Sequence, residues 1–283
     1  SKSKGNVVVP SDILERFGSD AVRWRAAMAR PGMDSPFDQS QMKVGRRLAM
    51  KILNAGKFVL GLAPEPGDPA AVTNPVDRAL LASLSDVVTA CTETFDAFDY
   101  TQALEAAETF FWSFCDDYLE LVKDRAYSDE PSSRSARVAL NVAVDVFLRL
   151  LAPFIPYATE EVWSWFRTGS VHRAAWPSSE PLRAAAAGAD AEILRVAGEA
   201  LTALRKVKSE NKVSQRTTYA AVSIEVAEAD RARLDAVHAD LVRAAHVRGD
   251  LNASSVAGEA PVAVASYELD PPEPKKPASA GKG

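Results

Sequence analysis

Apolar residues recur at helical spacing through most of the first 170 residues of this chain. Four such patterns, each long enough for a helix, cover residues 41–62, 75–98, 101–127 and 133–151. The second pattern includes Cys91, Phe95 and Phe98, which we expect in the core, and a shorter fifth helix carries Trp163. Long amphipathic helices with short connectors are typical of an antiparallel bundle. We therefore predict a mainly α fold with a helix bundle over residues 41–170.

The pattern changes after residue 170. Residues 171–189 are loop-like, with two prolines and an alanine-rich stretch, and we predict a linker there. Beyond it, the periodicity indicates a helix over about 190–209, a strand over 219–226, a second helix around Leu234 and a short strand over 262–267. These elements predict a small α/β subdomain over residues 190–270. The Pro/Lys/Ala/Gly-rich end, residues 271–283, is predicted to be disordered.

Composition narrows the class of protein. A hydrophobic content of 47% and a charged content of 25% are ordinary for a globular protein. No apolar run is long enough to cross a bilayer, and no signal peptide pattern opens the chain, so we expect a cytoplasmic protein without a membrane partner. Cys91 and Cys115 lie in apolar helical patterns, which favours reduced core residues over a disulfide, and two isolated cysteines predict no metal site.

Charge is distributed unevenly along the chain. The net charge is −5, yet residues 1–60 hold 11 Lys/Arg and 5 Asp/Glu, a local balance of +6 that leaves −11 for the remainder. A basic end on an acidic body fits a protein that offers one face to phosphates. A solvated charged surface is the alternative.

The opening residues form a donor-rich loop that suits a phosphate. The segment from Ser1 to Asn6 reads Ser-Lys-Ser-Lys-Gly-Asn, in which glycine lets backbone N–H groups turn toward an anion and lysine adds a point charge. Taken without context, the same residues are more typical of a frayed terminus with solvated lysines.

The order of several motifs adds a family resemblance. Ser1-Lys2-Ser3 is similar to the last three residues of the Lys-Met-Ser-Lys-Ser signature of class I aminoacyl-tRNA synthetases. Further matching stretches begin at Asp12, Pro31, Met42, Trp112 and Pro153, and they follow one another in family order. Together they resemble the C-terminal part of the valyl-tRNA synthetase family. Equivalent regions of isoleucyl or leucyl enzymes, or a free-standing helical RNA-binding or scaffold module, are the alternatives.

The resemblance implies roles for each part of the chain. Residues 1–40 would be the end of the catalytic loop with its connecting helix, and residues 41–170 the anticodon-binding bundle. Lys2 would be catalytic, with Ser1, Lys2, Ser3 and Lys4 binding ATP, which is the substrate together with Mg²⁺ in the full-length enzyme. The nucleotide-binding fold is missing from this sequence, so the chain alone is expected to bind no cofactor and to be inactive. The implied partners are tRNA and the catalytic and editing domains, in a monomer.

The same resemblance points to the first bundle helix as the tRNA contact. The candidates to bind backbone phosphates are Lys43, Arg46, Arg47, Lys51 and Lys57. Asn54 offers an amide to base edges and Phe58 a ring for stacking, one helical turn apart. The alternative places Phe58 in the bundle core, with Asn54 acting as a cap or facing water.

A second basic run lies in the predicted α/β subdomain. It contains Arg205, Lys206, Lys208, Lys212 and Arg216. These residues are candidates to meet tRNA, although a solvated helix face is the interpretation that a charge run favours.

Overall fold

A computed structural model describes residues 10–30, 32, 38–62 and 67–271. The predicted ATP-binding residues and nearly all of the tail that we expect to be disordered lie outside these residues. The chain divides into two compact units, Ser1–Ala191 and Glu192–Gly283. We call them the helical unit and the C-terminal unit, and each is described by itself.

The helical unit is built around one central helix. Its helices are α1 Pro10–Phe17, α2 Ser19–Ala27, α3 Gln39–Leu62, α4 Pro75–Asp96, α5 Tyr100–Ser113, α6 Leu119–Tyr127, α7 Ser133–Leu151, α8 Pro156–Ser164 and α9 Glu180–Ala185. Helix α7 packs against α3, α4, α5, α6 and α8. A π-helical turn, Phe114–Tyr118, joins α5 to α6 and makes them one long helix with an extra residue in one turn. The prediction of a mainly α bundle followed by a small α/β part is confirmed.

The end of α4 differs from the prediction. The helix begins at Pro75, where the Asn74 side chain accepts a hydrogen bond from the Val76 backbone N–H at 3.0 Å. It ends at Asp96, two residues before the predicted end. Phe98 therefore lies in the following turn, with φ +60° and 90% of its surface exposed, and its predicted place in the core is wrong.

A buried ion pair joins α4 to α6. Asp77 and Arg125 are both buried, and the two guanidinium nitrogens donate to the two carboxylate oxygens at 2.7 and 2.9 Å. The Tyr118 hydroxyl donates to the same carboxylate at 2.8 Å. The charge of Asp77 is thus met by three hydrogen bonds inside the bundle, which a buried carboxylate requires.

Helix α3 is held closely by its neighbours. A Cβ at Gly56 would lie 2.4 Å from Val162 Cγ1 of α8, and one at Gly45 would lie 3.0 Å from Trp24 Cβ of α2. A side chain at position 56 would force Val162 to move, and one at position 45 would press against Trp24. The Asp20 carboxylate also accepts hydrogen bonds from the first backbone N–H groups of α8, which ties α2 to the same side of the bundle.

Residues 171–189, expected to be a linker, carry a 3₁₀ turn at Val171–Arg173 and helix α9. Leu182 of α9 is buried, and α9 packs on α4. Arg78 of α4 donates to the carbonyls of Ala185 and Ala187. The segment therefore belongs structurally to the helical unit.

The C-terminal unit combines two helices with a three-stranded sheet. Its elements are α10 Glu192–Glu210, β1 Tyr219–Ala227, α11 Arg231–Ala244, β2 Leu251–Val256 and β3 Ala263–Leu269. The strand order is β2-β1-β3, with β1 parallel to β2 and antiparallel to β3. Alternate residues of β1, Val222, Ile224 and Val226, are buried, as the sequence pattern indicates. Strand β2 was not predicted.

The structure also bears on whether the chain spans a membrane. No helix in the described part of the chain has the length and apolar character needed to cross a membrane.

Cys91 and Cys115 are buried free thiols, as expected. Burial raises the pKa of Cys91 to about 11 and that of Cys115 to about 12, so both stay protonated near neutral pH.

Candidate nucleic-acid interface

Five of the seven residues predicted to bind tRNA form one row on α3. Lys43, Arg47, Lys51, Asn54 and Phe58 follow one another at spacings of three or four residues, which places them on the same side of the helix. At 1.5 Å per residue the row is about 22 Å long. Lys43, Arg47 and Asn54 are exposed, whereas Lys51 and Phe58 are half-buried. We call this set the α3 row.

The long helix formed by α5, the π turn and α6 runs beside the cationic end of the row. The Arg47 guanidinium carbon lies 5.1 Å from the centre of the Trp112 ring, and Lys51 Nζ lies 5.7 Å from it. Lys51 Nζ also pairs with Asp116 Oδ1 at 2.7 Å. The indole thus lies against two cations, a favourable arrangement that keeps their charged heads near the surface.

The other end of the row is aromatic. The rings of Phe58 and Tyr127 meet edge to face, with centres 5.7 Å apart and planes at 85°. Tyr127 is 63% exposed, so the pair reaches the surface rather than the middle of the core. Asn54 lies one helical turn before Phe58. An amide beside a ring pair that reaches the surface is an arrangement that suits unpaired bases.

Two predicted residues lie off the row. Arg46 points toward α1, where its guanidinium donates to the Arg16 carbonyl at 2.7 Å and so ties the two helices together. Lys57 is exposed beside Phe58. Of the three cations in the row, Lys51 has its charge offset by Asp116. Lys43 and Arg47 have no ion-pair partner among the described residues.

Sequence analysis did not single out the residues that complete this surface. Trp112, Asp116 and Tyr127 were not among the residues predicted to bind tRNA. All three lie far from α3 in sequence, so helical periodicity could not pair them with it.

The predicted catalytic and ATP-binding residues, Ser1, Lys2, Ser3 and Lys4, lie outside the described residues. In the described part of the chain, no three His, Cys, Asp or Glu side chains are grouped closely enough to hold a metal ion. The surface that the structure builds from sequence-predicted residues is therefore the α3 row.

Comparisons with known proteins bear on this surface. The family model described as "Anticodon-binding domain of tRNA ligase" matches residues 77–226. The chain is 55% identical over 247 residues to a valine–tRNA ligase of Cutibacterium acnes, covering 86% of this chain and 28% of that protein. It is 48% identical to one of Bifidobacterium longum subsp. infantis, covering 98% of this chain and 34% of that protein. The chain thus spans about a third or less of these relatives.

A solved structure shares the fold. The crystal structure of a ternary complex of Agrobacterium radiobacter K84 LeuRS with tRNA and LeuAMS aligns with a TM-score of 0.53 at 23% identity. The alignment covers 64% of this chain and 22% of that one, so it supports the fold alone. The family model covers more than half of the 283 residues. This chain belongs to the family of anticodon-binding domains of tRNA ligases.

Proposed function

We propose that this chain is the tRNA-binding part of a valine–tRNA ligase and that the α3 row contacts the anticodon arm. The observation that carries the proposal is the order of groups along one surface: cations at one end, and Asn54 with the Phe58–Tyr127 pair at the other. Relatives about half identical to this chain are valine–tRNA ligases, which supports valine over the isoleucyl and leucyl alternatives.

Each part of the row has a distinct task. Lys43 and Arg47 bind backbone phosphates, because their charge is not used by an acidic partner among the described residues. Lys51 is held by Asp116 and Trp112, so it contributes less net charge. It fixes the spacing between α3 and the long helix formed by α5, the π turn and α6. Asn54 and Phe58 meet unpaired bases.

The reaction of the longer enzyme is part of the same proposal. ATP, valine and tRNA would give valyl-tRNA, AMP and pyrophosphate, with Mg²⁺ accompanying ATP. Lys2 would stabilise negative charge on the leaving pyrophosphate, assisted by Ser1, Ser3 and Lys4. The catalytic and editing domains would come from the rest of a longer monomeric chain in the cytoplasm, and the 283 residues alone would form no adenylate.

The phosphate contacts are tested by Arg47→Gln. We expect tRNA affinity to fall three- to tenfold, and the slope of log K against log salt concentration to become smaller by about 0.7–0.9, the value for one lost phosphate contact. Binding is measured by filter retention or anisotropy over a salt series. Arg173→Gln is the matched control, because it removes one exposed positive charge away from α3. Equal effects of the two variants would contradict the assignment.

The base contact is tested by Phe58→Leu. We expect about tenfold weaker binding of tRNA that carries the valine anticodon, with an unchanged salt slope, because stacking on one base contributes about 1–3 kcal/mol without neutralising charge. The preference over the same tRNA with an isoleucine anticodon should shrink. Tyr157→Leu removes an exposed ring elsewhere and serves as the control. A variant that binds both tRNAs like the parent chain would place Phe58 in a purely structural role.

A further inference from the structure

The C-terminal unit separates its charges between two ends. The C-termini of α10 and α11 and the start of β1 lie at one end. Two hydrogen bonds show that they meet there: Lys208 of α10 donates to the Ala245 carbonyl just after α11, and the Tyr219 hydroxyl of β1 donates to the Leu204 carbonyl of α10. Basic residues outnumber acidic ones here: Arg205, Lys206, Lys208, Lys212, Arg216, Arg243 and Arg248 against Glu210, Asp240, Asp250, Glu268 and Asp270. At the opposite end the acidic residues prevail: Glu192, Glu199, Glu225, Glu228, Asp230, Asp235 and Glu259 against Arg195, Arg231 and Arg233.

The segment between α10 and β1, residues 211–218, carries the free cations of the basic end. We call it the α10–β1 loop. Arg248 pairs with Asp270 at 2.8 Å, and Lys206 lies 3.9 Å from Glu210. Lys212 and Arg216 are both exposed and have no ion-pair partner in the described part of the chain. They are the charges at this end that remain available to an anion.

The loop is ordered by its own hydrogen bonds. Lys212 has φ +56°, in the left-handed region where glycine is favoured, and the next N–H, of Val213, donates to the Lys208 carbonyl at 3.0 Å. The Gln215 amide donates to Ser209 Oγ at 3.1 Å. A lysine in this conformation costs free energy that a glycine would not.

A buried lysine supports the loop from below. Lys208 is 2% exposed, and its ammonium donates to the carbonyls of Gln215, in the loop, and Ala245, at 2.9 and 2.8 Å. Its Nζ lies 4.8 Å from the centre of the Tyr219 ring. Among the described residues no carboxylate pairs with it, so the buried charge is met by loop and helix carbonyls. Lys208 therefore fixes the backbone that displays Lys212 and Arg216.

The groups around the two free cations suit a nucleic-acid backbone. Asn211, Ser214 and Thr217 lie beside them in the loop, and small polar side chains with lysine and arginine bind phosphates and sugars. Tyr267 is 47% exposed, and its hydroxyl accepts a hydrogen bond from the Asn211 amide, which places a ring at the edge of the loop. A membrane surface would require large apolar side chains next to the cations, and Val213 in the loop is half-buried.

We propose that the α10–β1 loop is a second phosphate-contacting surface for tRNA, distinct from the α3 row, in which Lys212 and Arg216 touch the RNA backbone and Lys208 acts as a positioning residue. The proposal rests on the proposed function, since it takes tRNA as the partner. It adds a contact in the C-terminal unit that works independently of anticodon recognition.

The test compares single-charge variants of the 283-residue chain in tRNA binding over a salt series. Lys212→Gly and Arg216→Gln should each weaken binding two- to fivefold and reduce the salt slope by about 0.7–0.9. Lys212→Gly is the sharper variant, because it relieves the left-handed backbone and should keep or raise the thermal midpoint while it weakens binding. Lys208→Met should also reduce the slope, although its ammonium is buried, if the variant retains its circular dichroism spectrum.

The control is Arg231→Gln, which removes a charge from the opposite end of the same unit. Unchanged binding by Lys212→Gly and Arg216→Gln, with weakened binding by Arg47→Gln, would overturn this proposal and leave the proposed function standing. Equal weakening by Arg231→Gln would also overturn it, since the effect would then be one of net charge. Normal binding by Arg47→Gln with weakened binding by Arg216→Gln would instead reject the α3 row, and no binding by the parent chain would reject both.

Discussion

Replacing Arg125 with methionine is expected to destabilise the helical unit by about 3–5 kcal/mol, the range for removing one partner of a buried ion pair. The variant leaves the Asp77 carboxylate fully buried with the Tyr118 hydroxyl as its remaining partner in this cluster. Methionine fills much of the volume, so the loss reports the uncompensated charge rather than a cavity. Urea unfolding followed by tryptophan fluorescence measures it, since all five tryptophans of the chain lie in this unit.

Two further variants separate the charge from the packing. Arg183→Met removes an arginine whose guanidinium donates to Thr89 Oγ1 at the surface, and it should cost less than about 1 kcal/mol. The double variant Asp77→Leu with Arg125→Met removes both charges and should recover a large part of the lost stability. A loss below about 1 kcal/mol for Arg125→Met alone would show that the ion pair contributes little to the bundle.

The stability of the C-terminal unit is expected to rise between pH 8 and pH 9.5 because of Lys208. Burial lowers the pKa of this lysine from 10.5 to about 8. Above pH 8 the folded state releases this proton while the unfolded state keeps it, so the unfolded state binds more protons and the free energy of unfolding increases with pH. From these two pKa values the gain between pH 7 and pH 9.5 is about 2 kcal/mol, within a limit of roughly 3 kcal/mol.

The titration of Tyr219 sets the upper limit of the pH range over which stability rises. Burial also raises the pKa of Tyr219 to about 12, so stability should fall again as the pH rises above about 10. The measurement is pulse proteolysis in urea at several pH values, with mass spectrometry of the peptide that contains β1. Lys208→Met is the matched variant, and its stability should be flat from pH 8 to 9.5. A parallel rise in both proteins would contradict the assignment to Lys208.

Long amphipathic helices could be predicted from sequence, and shorter or irregular elements could not. Helix α7 has the bounds that its apolar repeat predicts. The π turn was missed because one extra residue leaves the helical pattern intact on either side of it. Strand β2, Leu251–Val256, is made largely of small and polar residues, and it is defined by backbone pairing with β1 rather than by its side chains.

The candidate site, too, could be predicted only in part from the sequence. The α3 row follows from the spacing of its residues along one helix. The ion pair of Lys51 with Asp116 and the ring contact of Phe58 with Tyr127 join residues more than 60 positions apart, and only the packing of two helices creates them. The direction of Arg46 toward α1 depends on packing in the same way.

The π turn Phe114–Tyr118 has a consequence for how this unit can change. Successive residues of an α-helix are rotated by about 100° around the helix axis. The extra residue therefore sets the angular position of every side chain in α6 relative to Trp112. Arg125 needs that angle to reach Asp77, and Tyr127 needs it to reach Phe58. Shortening the turn by one residue would swing both away together, so the stability of the bundle and the shape of the surface beside the α3 row are coupled through a single rotational offset.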